Sequence, residues 1–319
     1  MIGRFLVTGG AGFIGCNIVR RLIGETCEVR VLDNFSTGDR DKLPDTSEFE
    51  LIEGDLTDYH VVQRAVSGID YVLHQGALTS TLHSISDPTA FANSNILGTL
   101  NVLKAAQEAN VKRVIFASSA SIYGDSSELP LKESAIPSPN SPYAATKLAG
   151  ESLCQAFHKT YGLETVILRY FNIFGPYQDP RSRYSSVIPR FVMAGLSDLH
   201  AMIYGNGLQS RDFTFVDDVV EANLAAASAR EECVGRAFNV GCGQRHTLLD
   251  LLETLESVLG VVIKREHRDP NPGDVEHSLA DIDAARACLD YEPNVGFREG
   301  LERTVSWFQK SIPFGNDDE

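Results

Sequence analysis

The sequence predicts an α/β fold: a doubly wound parallel sheet with a smaller, mostly C-terminal α/β lobe. Three observations carry that prediction. Short apolar runs alternate with longer stretches of helical periodicity through the first half of the 319 residues. A glycine-rich turn, Thr8-Gly9-Gly10-Ala11-Gly12-Phe13-Ile14-Gly15, lies between the first run and the first helical stretch. The second half breaks the alternation with loops rich in proline and serine, then resumes with further helical patterns.

Taken in order, Phe5-Leu-Val predicts the first strand and 13–24 the first helix. Val29-Arg-Val-Leu predicts a second strand ending at Asp33, Phe49-Glu-Leu-Ile a third, Tyr71-Val-Leu-His a fourth and Val114-Ile-Phe-Ala a fifth. Between the last two, Ile96, Leu97, Leu100, Leu103 and Ala106 recur at helical spacing and predict one helix over 89–109. Residues 124–142 hold four prolines and several serines and read as a loop. A helix over 143–160 and a strand at Val166-Ile-Leu-Arg-Tyr follow. Residues 175–186 read as a second loop, 217–230 as an alanine-rich helix and Ala237-Phe-Asn-Val as a sheet strand. Further helices are predicted at 247–259, 281–288 and 297–310, with Gly315-Asn-Asp-Asp-Glu as a frayed tail. The chain crosses between lobes more than once. Residues 1–175, with 217–240 returning, are expected in the sheet domain, and 176–216 and 241–319 in the smaller lobe.

Composition narrows the function. Asp plus Glu number 43 against 28 Lys plus Arg, a net charge of −15. With no basic run, this disfavours a nucleic-acid partner. No apolar stretch reaches the ~18 residues of a membrane helix, so no membrane partner is expected. The N-terminus lacks the pattern of a signal peptide, which implies a cytoplasmic chain. Cysteines 16, 27, 154, 233, 242 and 288 show no CxxC and no metal-ligand spacing, so thiols and no metal are expected. Cys242 stands out for its flanking glycines.

The glycines at 9, 12 and 15 each have a physical role. Gly9 permits a tight turn, Gly12 lets backbone approach a pyrophosphate and Gly15 lets the helix pack closely. The N–H groups and dipole at the helix start favour phosphate. Asp33 ends the second strand, 18 residues past Gly15, where a carboxylate accepts from the adenosine ribose. It would repel a 2′-phosphate, which favours NAD over NADP, although Arg40 lies in the following loop. Gly54-Asp55-Leu56 is placed to hold the adenine edge.

Tyr143 and Lys147, in Ser141-Pro-Tyr-Ala-Ala-Thr-Lys, lie four apart and share one helix face. A free tyrosine, with a pKa of about 10, is a poor base at neutral pH. A nearby ammonium favours the phenolate. Upstream, Phe116-Ala-Ser-Ser-Ala-Ser-Ile-Tyr-Gly offers a hydroxyl, Ser119 or Ser121, for a substrate oxygen.

With these residues in view, the chain resembles the extended short-chain dehydrogenase/reductases, in the group of NAD-dependent nucleotide-sugar epimerases and dehydratases. The resemblance runs over nearly the whole length. It rests on TGGAGFIG at 8–15, DNFSTG at 33–38, GDLTD at 54–58, HQGA at 74–77, SSASIYG at 118–124, SPYAATK at 141–147, RYFNIFGP at 169–176 and GDVEHSLAD at 273–281. It implies a Rossmann-type domain, with Tyr143 as acid/base, Lys147 on the nicotinamide ribose and Ser119 as the catalytic hydroxyl. It places Gly9, Gly12, Phe13, Ile14, Gly15, Asp33, Asn34, Asp55, Leu56, Gln75, Ala77, Asn95, Tyr143, Lys147 and Tyr170 at NAD. It places Ser80, Ser119, Ser121, Tyr143, Asn172, Val187, Tyr204, Arg211, Asp274 and Ser278 at a UDP-sugar. Arg190 and Arg268 are further candidates for the diphosphate. A homodimer through 89–109 and 143–160 is the family expectation.

Within the family, a 4,6-dehydratase adds an Asp-Glu pair where this chain has Ala120 and Ser121, so the acid and base for elimination are absent. Arg169-Tyr-Phe-Asn resembles the 4-epimerases more than the UDP-glucuronate decarboxylases. The segments Gln178–Pro189 and Glu276–Asp281 resemble epimerases of N-acetylated UDP-hexosamines. Ser278 stands where a bulky tyrosine would exclude a 2-acetamido group, so both UDP-GlcNAc/UDP-GalNAc and UDP-Glc/UDP-Gal are expected to fit. Two positions depart from that pattern: Asn271 and His83 stand where arginines are common, and Arg268 would have to substitute for the first from a nearby turn. His74 and His83 read as hydrogen-bonded loop residues. A UDP-uronate or deoxysugar epimerase and a non-catalytic NAD-binding scaffold remain as alternatives.

Overall fold

The computed structural model describes residues 3–25, 27–180, 186–270 and 275–311. Seven strands form one sheet: β1 (Gly3–Thr8), β2 (Cys27–Asp33), β3 (Glu50–Glu53), β4 (Tyr71–His74), β5 (Arg113–Ser119), β6 (Glu164–Tyr170) and β7 (Ala237–Val240). Their order is β7-β6-β5-β4-β1-β2-β3, and every neighbouring pair is parallel. This is the parallel α/β arrangement expected from the alternation of runs, and it is of the Rossmann type that the resemblance implies. The direction of winding reverses between β1 and β4. That switch point opens a crevice at the carboxyl ends of the strands, where open α/β sheets bind ligands.

Among the described residues, eight helices of eight or more residues surround and extend the sheet: α1 (Phe13–Ile23), α2 (Tyr59–Val66), α3 (Gly98–Glu108), α4 (Pro142–Tyr161), α5 (Val187–Leu196), α6 (Val216–Ala227), α7 (Leu248–Leu259) and α8 (Phe297–Ser311). Strand side chains alternate between two apolar layers. Phe5 and Val7 of β1 join Ile18, Leu22, Val219 and Ala222 of α1 and α6. Leu6 points the other way, into a layer with Val62, Val102, Leu103 and Cys154 of α2, α3 and α4. Both faces are covered, so β1, β5 and β6 read as nearly unbroken apolar runs. Arg113, at the start of β5, donates to the carbonyls of Ala226, Ala227 and Ala229 at the end of α6 and pairs with Glu164 at 2.7 Å. A cation there suits the negative end of that helix.

A separate apolar cluster gathers α5, α7 and α8 around Phe174, Phe191, Phe215, Leu252 and Phe308. Beside it, the strands Ala201–Tyr204 and Arg265–Arg268 pair in parallel. The sequence reading passed over α2, α5 and these two strands. α5, Val-Ile-Pro-Arg-Phe-Val-Met-Ala-Gly-Leu, is apolar almost all round and carries Pro189 in its first turn, where proline is tolerated.

The predicted helix over 89–109 needs correction. It is Pro88–Phe91, then a π-helical stretch at Ala92–Leu97, then α3. Arg268 also differs from expectation. It ends a strand rather than sitting in a turn, and it pairs with Glu266 at 2.5 Å. His74 ends β4, and His83 lies in a short helix, Thr81–Ser86, so neither is a loop residue. No helix among the described residues is long and apolar enough to cross a membrane.

Candidate active site

The glycine turn forms one wall of the crevice. Gly9 has φ +66°, and a Cβ there would stand 2.6 Å from Gly76 Cα. A Cβ on Gly15 would stand 2.1 Å from Gly9 O, so α1 lies directly on the turn. At Gly12 the nearest atom would be Gly9 O at 3.2 Å, which leaves its outer side open. Gly12 caps α1 with no side-chain hydrogen bond, and no acidic residue occupies the first turn. The N–H groups at Phe13 and Ile14 therefore lack intrahelical partners and suit a pyrophosphate. That open cradle fits a dinucleotide. Sequence reasoning did not single out Gly10 and Gly76. Cβ atoms there would meet Val31 Cγ1 at 2.7 Å and Leu56 Cδ1 at 2.8 Å.

Asp33 has a structural task beside the ribose role expected of it. Its carboxylate accepts from Ala11 N at 2.9 Å and Phe35 N at 2.8 Å, tying the glycine turn to the loop after β2. Asn34 donates to Asp55 at 2.6 Å. Arg40 lies 4.2 Å from the Phe35 ring centroid and pairs with Glu53 at 2.6 Å.

On the opposite side, His74 is fully buried and neutral, its pKa pushed down to about 3 by burial and by the Lys147 charge. Its proton position follows from its neighbours. Thr99 Oγ1 donates to Asn95 O at 2.6 Å, so it must accept from His74 Nε2 at 3.0 Å. Nδ1 is then the acceptor, taking the Thr8 hydroxyl proton at 2.7 Å, and Thr8 in turn accepts from Gly76 N at 3.1 Å. This chain joins the turn to the π-helical stretch. There Asn95 exchanges two hydrogen bonds with the Leu78 backbone, at 2.8 and 2.9 Å, and donates to Thr146 at 2.9 Å. Ala77, between Gly76 and Leu78, is part-buried. Gln75 and Tyr170 meet through Asn223, a residue the sequence reading missed. Gln75 donates to Asn223 at 3.0 Å, and Asn223 donates to the Tyr170 hydroxyl at 2.8 Å.

Tyr143, Lys147 and Ser119 converge where α4 meets the end of β5. Burial raises the Tyr143 pKa, and a hydrogen bond with the Ser119 hydroxyl opposes the rise. Ser119 Oγ also accepts from Ser121 N at 3.2 Å. Lys147 is 4% exposed and donates to Ala117 O at 2.8 Å. Burial lowers its pKa to about 8. An edge-on aromatic line, His83 on Phe91 at 5.6 Å and Phe91 on Tyr143 at 6.4 Å, supports the tyrosine ring from behind.

The other predicted sugar-side residues are spread around this centre. Ser80 caps the helix Thr81–Ser86 by accepting from His83 N at 3.1 Å. The Ser121 hydroxyl is buried with no partner among the described residues, which fits a ligand contact. Asn172 is exposed after β6; Val187 opens α5, and Tyr204 ends its strand. Arg190 is exposed on α5. Arg211 lies beside Ser278, whose N–H donates to Ser210 O at 3.0 Å, and Ser278 is buried. Asp274 and Asn271 fall outside the described residues.

Asp212, also missed, holds this region together. It accepts from Cys242 N at 2.8 Å, Gly243 N at 3.0 Å and Ala280 N at 3.1 Å. Burial raises its pKa to about 6 against those bonds. The glycines around Cys242 are thereby explained. A Cβ on Gly241 would stand 3.0 Å from the Asp212 carboxylate, and Gly243 has φ +67°.

The family model for the NAD dependent epimerase/dehydratase family matches residues 5–241. A putative UDP-glucose 4-epimerase of Methanocaldococcus jannaschii is 33% identical over 308 residues, covering 96% of this chain and 98% of that protein. The UDP-N-acetylglucosamine 4-epimerase of Methanobrevibacter ruminantium M1, solved with UDP-N-acetylmuramic acid, superposes with TM-score 0.93 at 39% identity, covering 97% of this chain and 99% of that one. The UDP-glucuronic acid 4-epimerase of Bacillus cereus, solved with UDP-glucuronic acid and NAD, gives TM-score 0.90 at 31% identity, covering 97% and 100%.

Proposed function

Since this chain belongs to the NAD-dependent epimerase/dehydratase family and is an NAD-dependent UDP-sugar 4-epimerase, an isomerase, we propose that it interconverts UDP-GlcNAc and UDP-GalNAc at C4. UDP-Glc and UDP-Gal are further substrates on this reading. When bound, NAD supplies a hydride acceptor and donor at the sugar C4. The residues at the glycine turn, with Asp33, Asn95 and Tyr170, would hold it.

The chain's own residues handle the proton and the geometry. Tyr143 Oη takes the proton from the 4-hydroxyl as the sugar becomes a 4-keto intermediate. It returns that proton after the sugar has turned its other face. The Ser119 hydroxyl stabilises the tyrosine oxygen and orients the sugar oxygen. Lys147 supplies positive charge one helical turn from Tyr143, and its N–H bond to Ala117 O keeps the side chain in place. Burial alone would hold the phenol protonated, so the phenolate depends on Ser119 and on this charge.

The observation that carries the substrate reading is Ser278. It is small and buried beside Ser210 and Arg211, and its backbone is pinned to Ser210. The test is incubation with UDP-GlcNAc, UDP-Glc and UDP-glucuronate without added NAD, read by NMR. UDP-GalNAc is expected, with every carbon retained and no net redox change. Turnover of UDP-glucuronate alone would overturn the substrate assignment. Ser278→Tyr is expected to cut kcat/KM on the acetamido sugars by about a hundredfold and to spare UDP-Gal. Equal loss on both would remove Ser278 as the determinant.

A further inference from the structure

Helix α4 meets the end of β5 in three successive contacts. Tyr143 meets Ser119, Lys147 donates to Ala117 O at 2.8 Å, and Glu151 accepts from the Ser118 hydroxyl at 2.5 Å. Residues 143, 147 and 151 are spaced by four, so all three lie on one helix face. The first two belong to the proposed reaction. Glu151 has no part in it. Its side chain is 3% exposed, and Arg169, at 6%, grips both carboxylate oxygens with one edge of the guanidinium. Nε donates to Oε1 at 3.0 Å and Nη2 to Oε2 at 2.8 Å.

A lysine and a glutamate four residues apart on a helix are within reach of each other. Here each is held elsewhere. We propose that Arg169 is a positioning residue: by holding the Glu151 carboxylate, it keeps that charge off Lys147, so the ammonium acts on Tyr143. This inference rests on the reading of Tyr143 and Lys147 as the catalytic pair.

The surrounding groups do not substitute for Arg169. From α4 itself, Cys154 faces Glu151 and Lys147, and burial keeps its thiol protonated. From β4, His74 is neutral. From the turn Ala120–Tyr123, the Tyr123 hydroxyl accepts from Arg169 Nη1 at 2.8 Å and donates to Asn239 at 2.6 Å. Glu133 O accepts from the same nitrogen at 3.1 Å, while the Glu133 carboxylate takes Asn239 N at 2.7 Å; burial raises its pKa, and the nearby Asp281 adds to the rise. Arg169 is the cation on the Glu151 carboxylate. Removing it leaves a buried carboxylate with Lys147 as the cation one turn away.

The test compares pH profiles of kcat for the NAD-loaded enzyme, its Arg169→Met variant and the Glu151→Gln/Arg169→Met double variant. In Arg169→Met the acid limb is expected to move up by about one pH unit, because an ammonium paired with Glu151 stabilises the phenolate less. The double variant, with no carboxylate to capture Lys147, is expected to bring the limb back. A merely structural role would lower activity without moving the limb. An unmoved limb in Arg169→Met, or one not restored in the double variant, overturns the proposal. If Arg169→Met does not fold, Arg169→Gln against Glu151→Gln/Arg169→Gln, with a neutral polar side chain in the same place, gives the same comparison. Tyr143→Phe, run in parallel, separates the two failures: an active Tyr143→Phe enzyme refutes the catalytic reading itself.

Discussion

Tyr143→Phe is expected to lower kcat by about a thousandfold, the scale of a lost general acid–base group, while NAD stays bound. The substitution removes one oxygen and little else. The ring keeps its edge-on contact with Phe91, and Thr146 keeps its bond to the residue 143 carbonyl at 2.7 Å. Nothing at the glycine turn changes, so the cofactor has no reason to leave. KM for the UDP-sugar is expected to move little, since the substitution removes one hydroxyl contact and no charge. Steady-state turnover, with NAD measured after acid release from the protein, checks both halves. Turnover within tenfold of the native enzyme would refute the role assigned to Tyr143.

Gly15→Ala is expected to be as damaging by a different route. Its Cβ would stand 2.1 Å from Gly9 O and 2.8 Å from Gly10 Cα, and both obstacles are backbone. The clash cannot be relieved by turning a side chain. Either α1 moves off the turn or the turn opens, and both disturb the N–H groups that face a pyrophosphate. Strain of this kind destabilises by about 3 kcal/mol. The purified variant is expected to carry little NAD and to melt well below the native enzyme. Gly12→Ala is the control, since its Cβ meets one atom at 3.2 Å. It is expected to weaken NAD retention with a smaller loss of stability. A Gly15→Ala protein with native NAD content and native melting temperature would contradict this account.

All seven strands of the main sheet were legible: β1, β5 and β6 as nearly unbroken apolar runs because both faces are covered there, and the edge strand β3 from Leu51 and Ile52 between two glutamates. The glycine turn was legible because its constraints are local: Gly9, Gly12 and Gly15 act on one another. The residues that escaped notice act at long range. Asn223 meets Gln75 148 positions away, and Asp212 binds backbone 30 to 68 positions on. Glu151 and Arg169, 18 apart, sit on a helix and a strand that meet only in the folded chain. Helix α5 lacked a polar face to set its period, and at 92–97 the apolar spacing gave no sign of a wider turn.

That wider turn has a mechanical consequence. A π-helical stretch advances the chain with less rotation per residue than the helices on either side. The run from Pro88 to Glu108 is therefore two rods set at different angles about one axis. The first aims Phe91 at the Tyr143 ring, and the second lays Leu103 and Ala106 under the sheet. A uniform helix of this length has one angular setting. Here the wall behind Tyr143 and the hydrophobic foundation are each aligned separately, with Asn95 at the joint.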